Sequence, residues 1–110
     1  MASLGKIVLT GVSGKKYRFT AYPLGTKFRK LSGVFVITKR TRKAEGRYGH
    51  LALYVGCTED FSQPFDRLRS AKKFRGRGAN CICLQSDESE TSRLAKEKDI
   101  AAAFHRICND

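Results

Sequence analysis

Two apolar runs separated by a cationic spacer place the strongest constraint on how this chain can fold. Val34, Phe35, Val36 and Ile37 form the first run, and Leu51, Ala52, Leu53, Tyr54 and Val55 form the second. Each is short, rich in β-branched or aromatic residues and apolar at successive positions, the pattern of a strand covered on both faces. Between them lie Lys39, Arg40, Arg42, Lys43 and Arg47, with Gly46 and Gly49 as breakers. A spacer this polar is expected to leave the core as a loop, so the stretch reads as a central hairpin carrying a cationic loop into solvent.

A chain of 110 residues supports one domain with a single modest core. Its hydrophobic fraction of 41% excludes a disordered polymer. The net charge of +12 is unevenly spread: residues 1–50 hold 12 Lys/Arg against Glu45 alone, whereas residues 81–110 hold 4 against 6 acids. Such a field attracts polyanions, which makes nucleic acid the leading partner class, DNA ahead of RNA. The N-terminus has no signal-like apolar core, and no run approaches the roughly 18 apolar residues that a membrane span needs. The expectation is a cytoplasmic protein with no membrane partner.

The four cysteines are Cys57, Cys81, Cys83 and Cys108. Cys81 and Cys83 stand two apart in a strand-like segment and therefore share a face, whereas a zinc site favours spacings such as C-x-x-C. They read as reduced core thiols rather than as a metal site.

From the start of the chain, Lys6 to Thr10 and Lys15 to Tyr22 flank a Gly11-Val12-Ser13-Gly14 turn, predicting an N-terminal hairpin over residues 1–32. In its second arm Tyr17, Phe19 and Ala21 alternate with Lys16, Arg18 and Thr20, one face buried and one basic. After Gly56, Ser62 is placed to cap a helix with Pro64 in its first turn and Phe65, Leu68 and Ala71 on its apolar face. Its opposite face carries Arg67, Arg69, Lys72, Lys73, Arg75 and Arg77. Residues 80–85, NCICLQ, read as a buried strand.

A last helix is expected after Asp87, Glu88 and Glu90, running to about Ile107. Leu94, Ile100, Ala101, Phe104, Ile107 and Cys108 fall on one stripe, and Glu97 projects into its middle. A carboxylate there needs a partner: an arginine of the first helix, a metal, or the mouth of a cleft.

Gly33-Val34-Phe35 and Tyr54-Val55-Gly56 resemble the two halves of the GIY-YIG nuclease signature. Thr58 to Phe61 entering a helix, Glu97 in a later helix, Asn109 behind it and residues 78–83 before the last helix follow in the order of small bacterial GIY-YIG-like proteins. The resemblance covers residues 33–110, with the N-terminal hairpin as an addition. It implies a small α/β (α+β) sandwich, with helices flanking a central three-stranded antiparallel sheet and one divalent ion, Mg²⁺ or Mn²⁺, at the site. It further implies that Glu97 holds the metal, a hairpin tyrosine activates water and a helix arginine stabilises charge on phosphate.

The chain departs from that pattern at two places. Phe35 stands where the first-half tyrosine would be, and Pro64 stands at the helix arginine position. Tyr54, Glu97 and Asn109 remain, and Arg67 is placed to reach the vacated space. The two losses favour a nucleic-acid-binding module with weakened or lost hydrolysis, using Lys39, Arg40, Arg42, Lys43 and Arg47 of the loop and Arg69, Lys72, Lys73 and Arg75 of the helix. An active endonuclease using Tyr54, Glu97, Arg67 and Asn109 is the alternative, and a module that docks an acidic protein is a third reading. Tyr48 and Tyr54 are candidate stacking platforms, and His50 reads as a loop-edge residue or a proton shuttle.

Overall fold

The structure, a computed structural model, describes residues 3–62 and 75–104. Its strands are β1 (Lys6–Thr10), β2 (Lys16–Pro23), β3 (Gly33–Arg42), β4 (Tyr48–Thr58) and β5 (Cys81–Ser86), followed by helix α1 (Glu90–Ala103). The five strands form one antiparallel sheet in the order β1-β2-β5-β3-β4. The architecture is thus mixed α and β, as expected, and the N-terminal hairpin joins the same sheet because β2 pairs with β5. No helix among the described residues is long and apolar enough to cross a membrane.

β3 is an interior strand, paired with β5 on one side and β4 on the other, and its alternation builds two cores. Val34 and Val36 face α1 together with Leu9, Phe19, Ala21, Val55, Cys81, Cys83 and Ile100. Phe35 and Ile37 face the other side with Leu53, Phe61, Ala79 and Ile82. That second face is roofed by Leu24, Phe28 and Leu31, from the irregular segment after β2, and by Phe61. Phe28 meets Tyr22 edge-on with ring centroids 5.2 Å apart and Phe61 at 6.2 Å. Burying each such side chain is worth about 1.5–3 kcal/mol relative to leaving it in water, which explains why a run of consecutive apolar residues is needed in β3.

The cationic spacer departs from the expected loop. β3 continues through Lys39–Arg42, pairing Lys39 with Leu51, Arg40 with His50, Thr41 with Gly49 and Arg42 with Tyr48. A ladder needs backbone partners but not a core, so the hairpin runs on as a two-stranded ribbon past the end of the sheet. A register shift lies between Ile37 and Thr38, and β5 pairs with β3 as far as Thr38, beyond which the ribbon runs on alone. Only residues 44–46 form the tip, a short 3₁₀ turn closed by Lys43 N–H donating to the Arg47 carbonyl at 2.6 Å.

α1 starts at Ser89, whose side chain accepts from the Ser92 amide, and its described part ends at Ala103 rather than near Ile107. Its buried stripe also differs from the expected one. Leu94 is 52% exposed, and Arg93 is buried in its place with its guanidinium donating to the Asp87 carbonyl at 3.1 Å. The stripe therefore runs Arg93, Glu97, Ile100, Phe104, at helical spacing, with Arg93 in place of Leu94. The expected helix carrying Arg67 and its neighbours lies outside the described residues, apart from the backbone of a 3₁₀ turn at Arg75–Arg77.

Candidate functional site

The β3–β4 ribbon gathers five of the expected cations: Lys39, Arg40, Arg42, Lys43 and Arg47. All except Arg40, which is half-buried, are exposed. Two glycines shape their placement. The Lys43 stem lies over Gly49, where a β-carbon would meet Cε, and the Lys39 stem lies beside Gly78. Their aliphatic stems therefore pack while the ammonium groups stay in solvent. Arg40 stacks on Tyr48, with its guanidinium carbon 3.6 Å from the ring centroid.

The ribbon's root is fixed by Asn80. Its side-chain carbonyl accepts from the Arg40 amide at 2.7 Å, and its side-chain amide donates to the Arg40 carbonyl at 3.0 Å. One side chain thus continues the β5 ladder by a further step. Glu45 is the lone acid at the tip and adopts a left-handed backbone with φ 62° and ψ 37°.

Glu97 lies on the helix-covered face, half-buried, where it accepts a hydrogen bond from Cys57 Sγ at 3.1 Å. Burial, and then the hydrogen bond to Glu97 and its charge, push the Cys57 thiol up to about 12. The cleft beside it, about 380 Å³, is lined by Cys57, Thr58, Glu59, Asp60, Glu90, Arg93 and Leu94. Among the described residues the partner of Glu97 is thus a strand thiol; the expected arginine of the first helix lies outside them. Hard divalent ions prefer several oxygen ligands, and sulfur is a soft donor; further carboxylates, those of Glu59, Asp60 and Glu90, line the adjoining cleft.

Tyr54 packs on the opposite face, its ring 5.9 Å from that of Phe35. The sheet thus stands between Tyr54 and the carboxylate of Glu97. Arg67, Arg69, Lys72, Lys73 and Asn109 lie outside the described residues, as does the Arg75 side chain.

A further group was not legible as a unit. One donor atom each from His50, Cys81 and Cys83 lie within 4.8 Å of one another. Thr38 Oγ1 is 2.8 Å from His50 Nδ1. A hydrogen bond from Cys83, with help from Thr38 and Arg40, holds Cys81 below the ordinary thiol range against the cost of burial, and that same hydrogen bond and burial push Cys83 up. Burial and the nearby Arg40 charge lower His50, which favours its neutral imidazole. The shared face of Cys81 and Cys83 was readable from their spacing; the register that brings His50 to them was not.

No protein-family model matches the chain, and no curated protein or solved structure is significantly similar to it.

Proposed function

We propose that this protein binds nucleic acid, duplex DNA ahead of RNA, through the β3–β4 ribbon, on a GIY-YIG-like scaffold whose hydrolytic machinery is weakened or lost. The observation that carries the reading is the ribbon itself: a two-stranded projection past the core, with cations along β3 and around the tip and Glu45 as its only acid. A β-ribbon fits the major groove of B-DNA, whereas the deep, narrow major groove of A-form RNA excludes it. Lys39, Arg42, Lys43 and Arg47 would meet phosphates, and Tyr48 with its stacked Arg40 would lie against the groove wall. The sequence adds the basic segment containing Arg67, Arg69, Lys72, Lys73 and Arg75 as a second source of phosphate contacts.

Binding is favoured over cleavage by three features. Phe35 brings no hydroxyl, Tyr54 lies across the sheet from Glu97, and the Glu97 carboxylate is engaged by a thiol. The test is binding and cleavage of labelled single- and double-stranded DNA and RNA, with Mg²⁺ or Mn²⁺ and with EDTA, measured on the same samples. Salt-sensitive duplex binding without cutting is expected. Metal-dependent cutting that Glu97→Ala abolishes would instead establish an active endonuclease, and absence of binding to every substrate would reject the reading.

A further inference from the structure

The sulfur and imidazole donors of His50, Cys81 and Cys83 converge from two strands on one point of the helix-covered face. Cys81 and Cys83 are fully buried, while His50 is half-buried at the root of the ribbon. We propose that these three residues form a binding site for a thiophilic d¹⁰ cation, zinc among the divalent ions, that clamps the ribbon's root to β5.

The donor set and its dimensions suit such an ion. Zinc takes thiolate sulfur at about 2.3 Å and imidazole nitrogen at about 2.0–2.1 Å, so tetrahedral sulfurs sit about 3.8 Å apart. Donors already within 4.8 Å need only a small contraction. A disulfide is the competing fate of two close thiols, but residues i and i+2 of an extended strand are about 6.6 Å apart at Cα, at the far edge of disulfide geometry. Both cysteines are free thiols.

The chemistry balances. Binding forms two S–Zn bonds and one N–Zn bond, and the two thiol protons pass to water. Two thiolates neutralise the dication, so the buried unit carries no net charge, which lowers the cost of holding an ion there. Thr38 orients the imidazole through its hydroxyl. The half-exposed edge of His50 supplies the way in. The clamp has mechanical meaning, since β5 reaches β3 at Cys81–Thr38 whereas His50 belongs to the ribbon beyond that pair.

The test uses the full chain, reduced, freed of metal by chelator and titrated with Co²⁺. About one equivalent should develop the intense visible absorption of tetrahedral cobalt together with sulfur-to-cobalt charge transfer, and Zn²⁺ should displace it. Zn²⁺ should also raise the Tm and slow amide exchange over residues 39–50. Cys83→Ser should remove most of the charge-transfer band. His50→Gln, a half-exposed position whose variant is expected to melt cooperatively, should weaken Co²⁺ binding at least about tenfold, and Thr38→Val about 10–100-fold.

A wild-type protein whose thiols titrate as reduced but whose Co²⁺ stays octahedral overturns the proposal. So does a spectrum unchanged in His50→Gln, which would place the metal elsewhere, whatever happens to the cysteine variants. Cobalt spectra and melting read the site without any nucleic acid, so its failure and that of nucleic-acid binding are distinguishable.

Discussion

The carboxylate of Asp99 occupies the space that a side chain at Gly11 would need. In α1, Asp99 accepts from the Ser13 amide at 2.9 Å, the Ser13 hydroxyl at 2.7 Å and the Tyr17 hydroxyl at 2.7 Å, and its carbonyl accepts from the Val12 amide at 3.1 Å. A β-carbon on Gly11 would collide with that carboxylate. The N-terminal hairpin is thereby latched to the helix by its turn. Gly11→Ala should destabilise the fold by about 1–3 kcal/mol, read as a fall in the urea midpoint at constant slope. Combined with Asp99→Ala, its effect should be less than additive, since the clash is already gone. Full additivity would disprove the latch.

Asp87 gives the fold an acid sensitivity. Hydrogen bonds from Lys96, then Ser92, then the Ser89 amide hold its carboxyl at about 2, below the ordinary 3.8. Lys96 Nζ is 2.8 Å from Asp87 Oδ2. A pKa lowered on folding contributes stability that is complete above the unfolded value and disappears as pH falls through the folded one. The Tm of the wild type should therefore fall between about pH 4 and pH 2 more steeply than that of Asp87→Asn. Parallel curves would remove Asp87 from this role.

Charge on the ribbon should govern association. For every cation withdrawn from a phosphate, the slope of log K against log salt should shrink by about 0.9 on duplex DNA. Arg40→Glu, Arg42→Glu and Lys43→Glu together should weaken binding across all sequences and flatten that slope, as measured by fluorescence anisotropy at several salt concentrations. Glu45→Gly should act in the opposite sense: it removes the only acid of the tip and relieves a left-handed backbone worth about 1–2 kcal/mol, raising both affinity and Tm. Unchanged binding in the triple variant would rule out the ribbon as the interface.

The Cys57–Glu97 pair predicts a sluggish thiol. With its pKa pushed up to about 12, Cys57 should be alkylated slowly at neutral pH despite being half exposed. Glu97→Gln removes the negative charge and should accelerate labelling at Cys57, with tenfold more thiolate for each unit the pKa falls. Peptide mapping by mass spectrometry reads this site separately from Cys81 and Cys83. A slower rate in Glu97→Gln would contradict the assignment.

Phe35 offers a direct check on whether the missing hydroxyl can be put back. Its ring is 2% exposed, lies among Ile37, Leu53, Phe61 and Ile82, and presses Cζ against Gly56. Phe35→Tyr would carry a hydroxyl into those buried surroundings. It should cost about 1–3 kcal/mol without conferring metal-dependent cleavage. Cleavage gained on substitution would show that only the hydroxyl had been lacking.

The parts of the fold that the sequence made legible are those set by local pattern. Consecutive apolar residues at Val34–Ile37 marked an interior strand buried on two faces, the turn at residues 11–14 marked the first hairpin, and Ile100 with Glu97 marked the inward side of the last helix. What escaped depends on partners distant in sequence. Lys39–Arg42 read as loop because their composition is polar, yet the ladder is held by Tyr48–Leu51 and by the Asn80 side chain. Leu94 read as core because it is apolar, but Arg93, whose guanidinium reaches the Asp87 carbonyl, holds the buried place and Leu94 stays exposed. His50 read as an edge residue until the β3–β4 register placed it beside Thr38 and, through β5, beside two thiols.

The position of β5 also sets an order for assembly. β1–β2 and β3–β4 are local hairpins that form from contiguous chain, but the slot between β2 and β3 is filled only by residues 81–86. Until that segment leaves the ribosome, two inner strand edges face each other unpaired, each a template for strand addition. The late segment CICLQS is thus the keystone of the sheet, and the interval before it arrives is when a nascent copy is most exposed to pairing with its neighbours.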